Sequence, residues 1–482
     1  MGVILSQTTG EMASETRSTP VRQRRGEMMS KTMSKTVSKR DGAAAGAIRR
    51  RLGRRAALLG AALGGAMAIA CGRSGAPSQG SAAGGQPAPL TFLSRDAGSD
   101  LEPYKQRVEK FNARQSRVRV THELATGNFL QKFQTLVAAG TLPDVTYMHS
   151  ENVPTFAPAG VLASLDGFAR KDRGALDGLV PAALETYRWK GAIFGVPDVA
   201  TSLVMYVNRS LFTRAGVPVP GERWTWADYV ATVQRLTNAG RADGVFGATG
   251  YEDNFPRFTV LWQNDADILS RDRTQVTIDR PEAIEALTWI ADQMHRLRVH
   301  ATPADRQGKG TEAFFLEGKA AMLPSISSRM GIIARGAQFD VEVVHLPQGK
   351  RRVTRTACGG TAMCRATKHP EAAWELEKFF ATDEFQWLIT KAGGIIFPAH
   401  KSVVHAPELF AAGPFPRSPK VTVDALAYAR TEPYTPRYIE LTGAMNAELN
   451  RIWSGESSVK DAVTRARAAM EPILAEVVAQ MK

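Results

Sequence analysis

The feature that most constrains the fold of this chain is a regular alternation of strand and helix signals. Short apolar or alternating runs are typical of strands, and apolar residues spaced every three or four positions are typical of helices. Strands are predicted over 90–93, 118–122 and 144–148, and helices are predicted over 101–114 and 129–139. This spacing predicts βαβ units and a mostly parallel sheet, so the fold class is α/β.

Helix-starting signals continue through the second half of the chain. Thr225-x-x-Asp228 and Ser458-x-x-Asp461 are capping-box patterns, in which a hydroxyl and a carboxylate satisfy the first backbone N–H groups. Proline opens a helix well because it has no N–H to leave unsatisfied. We therefore expect helices over 226–236, 281–297 and 370–380, one after Thr382, and a long one from 459.

An export leader precedes the predicted domains. Arg54 and Arg55 stand before fifteen uncharged residues at 56–70, and Cys71 follows. This layout predicts a leader over 1–70 of the twin-arginine type, whose Ala-Ile-Ala-Cys ending resembles a lipobox, with lipidation at Cys71. The alternative is a transmembrane anchor, but the run is shorter than the ~20 residues that span a bilayer. Residues 71–89 lack large apolar side chains and are a predicted flexible tether.

Charge and length exclude some classes of protein. Residues 1–70 carry thirteen Lys/Arg and four Asp/Glu, so they hold +9 of the net +14 and leave +5 for the rest. Because the basic residues lie in the leader, we predict no nucleic-acid partner. The remaining 412 residues (482 minus 70) are too many for one simple core, and two lobes are expected.

Besides Cys71, the chain has two cysteines, Cys358 and Cys364. In a straight strand their separation would be roughly 20 Å, which is far beyond bridging distance. Only a tight turn at Gly359 and Gly360 could bring them together. The geometry favours two separate thiols.

Common catalytic motifs are absent from the sequence. It has no Gly-x-Ser-x-Gly, no Gly-x-Gly-x-x-Gly, no phosphate-binding Gly-Lys-Ser/Thr loop and no His-Glu-x-x-His. The eight histidines are scattered. We therefore predict no catalytic residue, no metal and no cofactor. A carbohydrate-acting enzyme stays open as an alternative, and it would need two carboxylates about 5–10 Å apart in one cleft.

Five segments, in one order, carry a family resemblance. They are AAGTLPDV at 138–145, AGVLASLD at 159–166, GVP through WTWAD at 195–228, FFLEGKAAM at 314–322 and HPEAAWEL at 369–376. This series resembles the family-1 extracellular solute-binding proteins of ABC importers, which include maltose- and oligosaccharide-binding receptors. Val207 departs from the usual tyrosine, and Pro324 to Ser327 replaces a frequent Gly-Pro-Trp. Ligand identity is therefore not carried over.

The resemblance implies a two-lobed periplasmic-binding-protein-like fold of type II. Each lobe would be a central β-sheet flanked by helices, with the ligand cleft between the lobes. We expect the N-terminal lobe to comprise 90–203 and 350–402, and the C-terminal lobe 204–349 and 403–482. The implied function is an extracytoplasmic, lipid-anchored and monomeric receptor that closes on a carbohydrate and delivers it to a membrane permease.

Candidate binding residues are polar or aromatic groups just after predicted strands or in cleft-lining loops, together with glycines that let the backbone approach a ligand closely. Sugars need paired hydrogen bonds and aromatic faces, and strand ends bring loops together at the cleft. The candidates are Asp96, Asn128, His149, Ser150, Glu151, Asp198, Thr201, Trp262, Asn264, Asp265, Ser325, Ser327, Gly359 and Gly360. Trp262 is equally compatible with the core. Tyr434 and Tyr438 are expected to seat the last helices.

A cationic ligand is the second alternative for the function. Polyamine receptors need an acidic cleft, which Asp96, Glu151, Asp198 and Asp265 could form if all four converge. Convergence of these carboxylates in one cavity would favour a polyamine over a sugar.

Overall fold

The structure is a computed structural model that describes residues 86–95, 101–391, 397–411 and 415–481. The predicted leader, Cys71 and Asp96 lie outside these residues. Within the described ranges, no helix combines the length and apolarity needed to span a bilayer.

The strands and helices follow one another in an α/β order. The strands are β1 Ala88–Arg95, β2 Val118–Ala125, β3 Val145–Tyr147, β4 Arg188–Trp189, β5 Ala192–Ile193, β6 Val196–Pro197, β7 Thr201–Asn208, β8 Met322–Ile326, β9 Val341–Val344, β10 Thr354–Ala357, β11 Gly360–Met363 and β12 Ala429–Arg430. The helices are α1 Leu101–Arg114, α2 Phe129–Ala139, α3 Val153–Phe156, α4 Asp166–Lys171, α5 Pro181–Glu185, α6 Arg209–Arg214, α7 Trp226–Gly240, α8 Asn254–Gln263, α9 Pro281–His295, α10 Thr311–Leu316, α11 Met330–Gly336, α12 Pro370–Phe380, α13 Asp383–Lys391, α14 Lys401–Val404, α15 Pro407–Ala411, α16 Val421–Asp424, α17 Tyr438–Trp453 and α18 Val459–Met481.

Local sequence signals fix several helix ends. At α7, Thr225 and Asp228 form the predicted capping box in both directions. At α18, the Asp461 N–H donates to the Ser458 hydroxyl at 3.1 Å. Helix α2 ends at Gly140, whose left-handed φ of 71° costs a glycine little. The predicted ends of these helices are therefore confirmed. They could be predicted because each depends on neighbouring residues alone.

The first sheet has the strand order β2-β1-β3-β11-β6. Strands β1, β2 and β3 are parallel, as the alternation of strands and helices predicts. Strand β11 arrives from much later in the chain and pairs antiparallel with both β3 and β6. Helix α1 packs against β1 and β2, and α12 packs against β11. This sheet and its helices form the N-terminal lobe.

The second sheet has the order β12-β10-β7-β8, with β9 also paired to β7. The long strand β7 pairs antiparallel with β8, β9 and β10, and only β12 runs parallel, to β10. The prediction of a mostly parallel sheet, which rested on the alternation over 90–148, therefore does not extend to this lobe. Its strands come from distant segments and not from successive βαβ units, so the local alternation carried no information about their direction.

The chain passes between the sheets at short segments. The first passage is residues 198–200, between β6 and β7, and the second is Cys358 and Gly359, between β10 and β11. A third lies after His400, which bridges Leu179, and before Arg417, which bridges Glu342. Strand β10 falls within the 350–402 segment expected in the first lobe, but it pairs in the second sheet. The lobe boundaries themselves stay predictions.

Most of the cysteine, tyrosine and tryptophan side chains whose role the sequence left open are buried in the cores of the lobes. Cys358 precedes β11, Cys364 follows it, and both are buried free thiols, so the preference for two separate thiols is confirmed. Tyr434 and Tyr438 are buried in the second lobe, where they seat α17. Trp224, Trp262 and Trp453 belong to the same core.

Candidate functional site

A cavity of about 240 Å³ lies between the two sheets. The first lobe contributes α1, the ends of β1 and β3, and the loop after β6. The second lobe contributes β7, the start of α8, the end of β8 with the turn after it, and β10. The lining residues are Arg95, Pro103, Tyr104, Arg107, Tyr147, His149, Asp198, Val199, Thr201, Phe255, Ile326, Ser328, Arg355, Ala357 and Gly359.

The first wall is organised around a buried carboxylate. The Tyr104 hydroxyl donates to Asp198 Oδ2 at 2.6 Å, and Arg107 Nη1 lies 3.6 Å from the same oxygen. Arg107 stacks on the ring of Tyr104 at 4.7 Å and is only 2% exposed. Burial and the Asp198 charge hold the pKa of Tyr104 well above its usual value, so Tyr104 stays a hydrogen-bond donor.

The floor of the cavity is formed by the two passages between the lobes. The backbone N–H groups of Asp198 and Val199 donate to the Gly359 carbonyl at 3.0 and 3.3 Å. The Thr201 hydroxyl donates to the Ala357 carbonyl at 2.6 Å. These hydrogen bonds join the two connecting segments directly beneath the site. A hinge motion of the lobes would change the backbone geometry at these segments.

The second wall presents Arg355 from β10. Its Nε donates to Glu432, which also accepts a hydrogen bond from the Tyr438 hydroxyl. Arg355 Nη2 lies 3.3 Å from the Tyr434 hydroxyl oxygen, and the guanidinium stacks on Phe255 at 3.8 Å. These contacts on one edge and one face hold the guanidinium in a fixed orientation at the cavity surface.

His149, after β3, is the titratable group at the rim. Its ring is 31% exposed, and its Nδ1 lies 3.6 Å from Glu151. Desolvation, with the nearby charges of Arg355 and Arg95, lowers the pKa of His149 to about 4. Burial raises the pKa of Glu151. At neutral pH the imidazole is therefore uncharged and offers one donor and one acceptor nitrogen.

The cavity brings together four of the predicted site residues. They are His149, Asp198, Thr201 and Gly359. Ser150, Glu151 and Gly360 lie directly beside them: the Ser150 hydroxyl accepts from the Cys358 N–H at 3.2 Å, for example. Gly360 is needed for a different reason from the one expected, since a Cβ there would lie 2.2 Å from the Val196 carbonyl.

Several other candidates have structural roles away from the lining. The Asn128 side chain caps α2, and Trp262 is 1% exposed in the core beneath the Arg430 guanidinium. The Asn264 amide donates to the Glu282 carbonyl and to Glu285, while Asp265 pairs with Arg351.

The two serine candidates belong to the second lobe. Ser325 pairs with Val204 in the sheet, and the buried Ser327 hydroxyl accepts from the Ser202 N–H at 3.1 Å. Both lie beside cavity residues without lining the cavity.

Seven polar or aromatic lining residues were not predicted as binding groups. They are Arg95, Tyr104, Arg107, Tyr147, Phe255, Ser328 and Arg355. Tyr104 and Arg107 are three positions apart on α1 and so share a face, which was an available signal. Arg355 lies within a buried strand, where no local pattern marks it as facing a cavity.

Acidic groups do not converge in the described part of the site. Asp198 is the one carboxylate among the described lining residues, and Asp265 is engaged with Arg351 elsewhere. Of the four acids expected to form an acidic cleft, Glu151, Asp198 and Asp265 are described, and Asp198 alone of these three lines the cavity. Asp96 lies outside the described residues. In the same ranges, no cluster of three or more His, Cys, Asp or Glu could hold a metal ion.

A second cavity, of about 450 Å³, lies within the second lobe between α8 and α17. Arg306 pairs there with Glu252, and Arg257 bonds Asn446. Burial beside Glu252 raises the pKa of Asp253 to about 6. Arg306 and Glu252 thus form an ion pair in this cavity, while Asp253 accepts a hydrogen bond from the Thr311 hydroxyl at 2.7 Å.

Comparison with known families gives a match over most of the chain. The family model described as bacterial extracellular solute-binding protein matches residues 106–416. A galactooligosaccharide-binding protein of Bacillus subtilis is 21% identical over 337 residues, which are 68% of this chain and 76% of that protein. An uncharacterized lipoprotein of Streptomyces antibioticus is 26% identical over 58% of this chain and 62% of its own length.

Among solved structures, an ABC substrate-binding protein of Listeria monocytogenes in complex with cycloalternan has the same fold. The TM-score is 0.70 at 23% sequence identity, and the match covers 81% of this chain and 100% of that chain. At this identity the likeness concerns the fold, and it supports the assignment of two lobes with a cleft between them.

Proposed function

Because the chain belongs to the bacterial extracellular solute-binding proteins, we propose that it is the receptor of an ABC importer and captures a carbohydrate between its lobes. Proteins of this family bind solutes for transport and carry out no reaction on them. We propose the same role for this chain, that of a binding protein and not of an enzyme. The solved relative is an ABC substrate-binding protein in complex with cycloalternan, and the Bacillus relative is named for galactooligosaccharides.

The observation that carries this proposal is the position of the cavity over the passages between the lobes. Solute contacts from both walls would favour the closed arrangement, because a ligand shifts a conformational equilibrium by its difference in affinity for the two states. The proposed site comprises the lining residues His149, Asp198, Thr201 and Gly359, with Tyr147 and Phe255 as aromatic faces. The closed form would then be recognised by a membrane permease.

A thermal-shift screen of the purified protein tests the proposal. A panel of mono- and oligosaccharides should contain at least one that raises Tm, since a ligand at 100 times its Kd stabilises the folded state by about 2.7 kcal/mol. The variant Ser328→Trp would fill the cavity and should abolish the shift, while Ser402→Trp, at an exposed position on α14, should keep it. No shift with any sugar would reject the carbohydrate class.

The proposed location is outside the cytoplasmic membrane, with the chain held there by a lipid at Cys71. The family is extracellular, and the Streptomyces relative is named a lipoprotein. Mass spectrometry of the membrane fraction should find an acylated N-terminal Cys71, and Cys71→Ala should release the protein. Retention of the Cys71→Ala protein in the membrane would contradict a lipid anchor. The tether and the monomeric state belong to the same proposal.

A further inference from the structure

The second cavity, between α8 and α17, has a lining that the proposed function does not use. Its volume of about 450 Å³ exceeds the 240 Å³ of the cavity between the sheets. Sites that enclose a small molecule measure roughly 300–1,000 Å³, so the second cavity has the size of a binding site. Pro303 and Trp453 are the apolar members of the lining, and its polar members are Glu252, Asp253, Asn254, Arg257, Arg306, Asn446, Asn450 and Ser454.

A buried guanidinium fixes two amides in this lining. Arg257 is only 2% exposed, and its Nη1 donates to the Glu252 carbonyl at 2.8 Å. Its Nη2 donates to Asn254 Oδ1 at 2.9 Å and also to Asn446 Oδ1. Because both amide oxygens accept from the same guanidinium, the NH₂ groups of Asn254 and Asn446 are left for another partner. The described residues supply no acceptor for either NH₂ group.

An acceptor lies beside these donors. The Thr311 hydroxyl donates to Asp253 Oδ2 at 2.7 Å, and Oδ1 has no side-chain hydrogen bond among the described residues. A sugar hydroxyl both donates and accepts, so one hydroxyl group can use Asp253 as acceptor and an asparagine NH₂ group as donor. The lining therefore offers the mixed hydrogen bonds that a polyhydroxylated solute needs.

The charges of the described lining balance at neutral pH. Glu252 and Arg306 form an ion pair in which both side chains are more than nine-tenths buried. Arg257 is opposed by Asp253, whose pKa of about 6 leaves it mostly ionised at neutral pH. A charged solute would bring an unbalanced charge next to these groups, which is costly in a partly buried site. The lining therefore favours an uncharged solute.

Consecutive residues at the start of α8 line the two cavities. Asp253 and Asn254 line the second cavity, and the next residue, Phe255, lines the cavity between the sheets. One helical turn is roughly 5 Å long. A chain of linked sugar units that fills one cavity therefore has only this short distance to cross before it enters the other.

From these contacts we infer that the second cavity is a docking subsite for an uncharged sugar unit, and that the solute is a saccharide of at least two units. One end of the solute would occupy the second cavity, and the other end would occupy the cavity between the sheets. This inference rests on the proposed function of the latter cavity.

The second cavity should contribute affinity without driving closure. Its lining belongs to the second lobe: α8 contacts β8 and β10 of the second sheet, and the buried face of α17 is part of the same core. Its contacts with a solute are therefore the same before and after the lobes move, and equal affinity for two states shifts no equilibrium. The second lobe would thus hold the solute first, and the two walls of the other cavity would close on it afterwards.

Calorimetric titration of the full chain tests the requirement for length. The ligands are malto-, cello-, xylo- and galacto-oligosaccharides, each series running from the monosaccharide to the pentasaccharide. In at least one series, affinity should rise at least tenfold when a single unit is added, because that unit enters the second cavity. At saturation, the radius of gyration should fall by the same amount for the ligands on either side of this step.

Two variants separate the loss of the second cavity from general damage. Asn450→Trp fills the cavity from an exposed position on α17, so the longer ligand should bind at least ten times more weakly while the shorter one is unaffected. Ala468→Trp places the same side chain at an exposed position on α18, outside the lining, and should change neither affinity. The Tm of each free variant reports whether folding is intact.

The outcomes distinguish this inference from the proposed function. If sugars bind but no series shows such a step, or if Asn450→Trp weakens short and long ligands alike, the inference is overturned and the receptor function stands. A larger fall in the radius of gyration with the longer ligand would also overturn it, since the second cavity would then drive closure. If no saccharide binds, the proposed function fails and the inference fails with it.

Discussion

Two buried glutamates, one behind each wall of the cavity, are held in opposite ways. Glu377 on α12 is fully buried and accepts a hydrogen bond from the Thr361 hydroxyl at 2.6 Å, and burial raises its pKa to about 8. Glu432 is 1% exposed but is paired with Arg355 and Tyr438. A neutral partner leaves a buried carboxyl protonated at neutral pH, while a guanidinium partner keeps an ion pair at the cavity.

The difference shows which wall depends on a charge. Behind the first wall, Glu377 supports β11 as an uncharged group and offers no field to a solute. Behind the second wall, Glu432 holds the charged guanidinium of Arg355 at the cavity surface. The stability of the two walls should therefore respond differently to substitution and to pH.

The largest effect is expected from Glu432→Ala. It would leave Arg355 buried without its counter-charge, which costs about 3–5 kcal/mol of unfolding free energy. Urea denaturation measures this loss. Glu375→Ala removes a carboxylate that is 40% exposed and paired with Lys378, and it should cost about 0–1 kcal/mol. Equal costs at the two positions would mean that the Arg355–Glu432 pair does not support the second wall.

The next effect is a pH dependence that belongs to Glu377. Its pKa is about 8 in the folded protein and about 4.3 in the unfolded chain, so the folded state binds one more proton between these values. Stability from this group is complete below pH 4 and is lost as pH rises toward 8. The loss has a slope of up to about 1.4 kcal/mol per pH unit.

Glu377→Gln should remove this dependence while keeping an acceptor for Thr361. The free energy of unfolding of the variant, relative to the wild type, should rise by up to about 2.7 kcal/mol between pH 5 and pH 7. Glu375→Gln, at the surface of the same helix, is the control and should show no such trend. A constant difference across this range would show that Glu377 is ionised in the folded state.

A smaller effect is the difference in stability cost between removing the Tyr104 hydroxyl in the first wall and removing the hydroxyl of another buried tyrosine, Tyr206. Tyr104→Phe removes a hydrogen bond to the Asp198 carboxylate and should cost about 1.5–3 kcal/mol. Tyr206→Phe removes one to the neutral Ile326 carbonyl and should cost about 0.5–1.5 kcal/mol. Chemical denaturation of both variants gives the comparison. A smaller cost for Tyr104→Phe would contradict the central position of Asp198 in this wall.

The smallest effect concerns the close approach beneath the second passage. In Gly360→Ala the new methyl group would meet the Val196 carbonyl and the Tyr187 hydroxyl, at a cost of about 1–3 kcal/mol. Gly443→Ala lies in α17 with open space around it and should gain about 0.5–1 kcal/mol. Thermal unfolding should move Tm in opposite directions, and a stabilised Gly360→Ala would refute the packing argument.

Local patterns predicted the helices well and the site only in part. Thr225, Ser458 and Gly140 act on their immediate neighbours, so the helix ends near them could be read from the sequence. Strand direction in the second sheet could not be predicted from the sequence, because β8, β9 and β10 pair with β7 from segments more than a hundred residues away.

The binding residues divide in the same way. His149 follows a strand that the βαβ pattern predicted, whereas Asp198 follows the Gly195-Val196-Pro197 segment of the family resemblance, and both line the cavity. Trp262 and Asn264 were placed by analogy with a cleft loop, but the second lobe uses them for its core and for a turn. Arg355 faces the cavity because β10 pairs with β7, and no local sequence pattern around Arg355 predicts that pairing.

We expect the two lobes to close on a bound solute. Small-angle X-ray scattering of the full chain, with and without a carbohydrate that raises Tm, tests this most directly. Closure predicts that the radius of gyration falls as calorimetric saturation is reached. Saturable binding with an unchanged radius of gyration would contradict the claim.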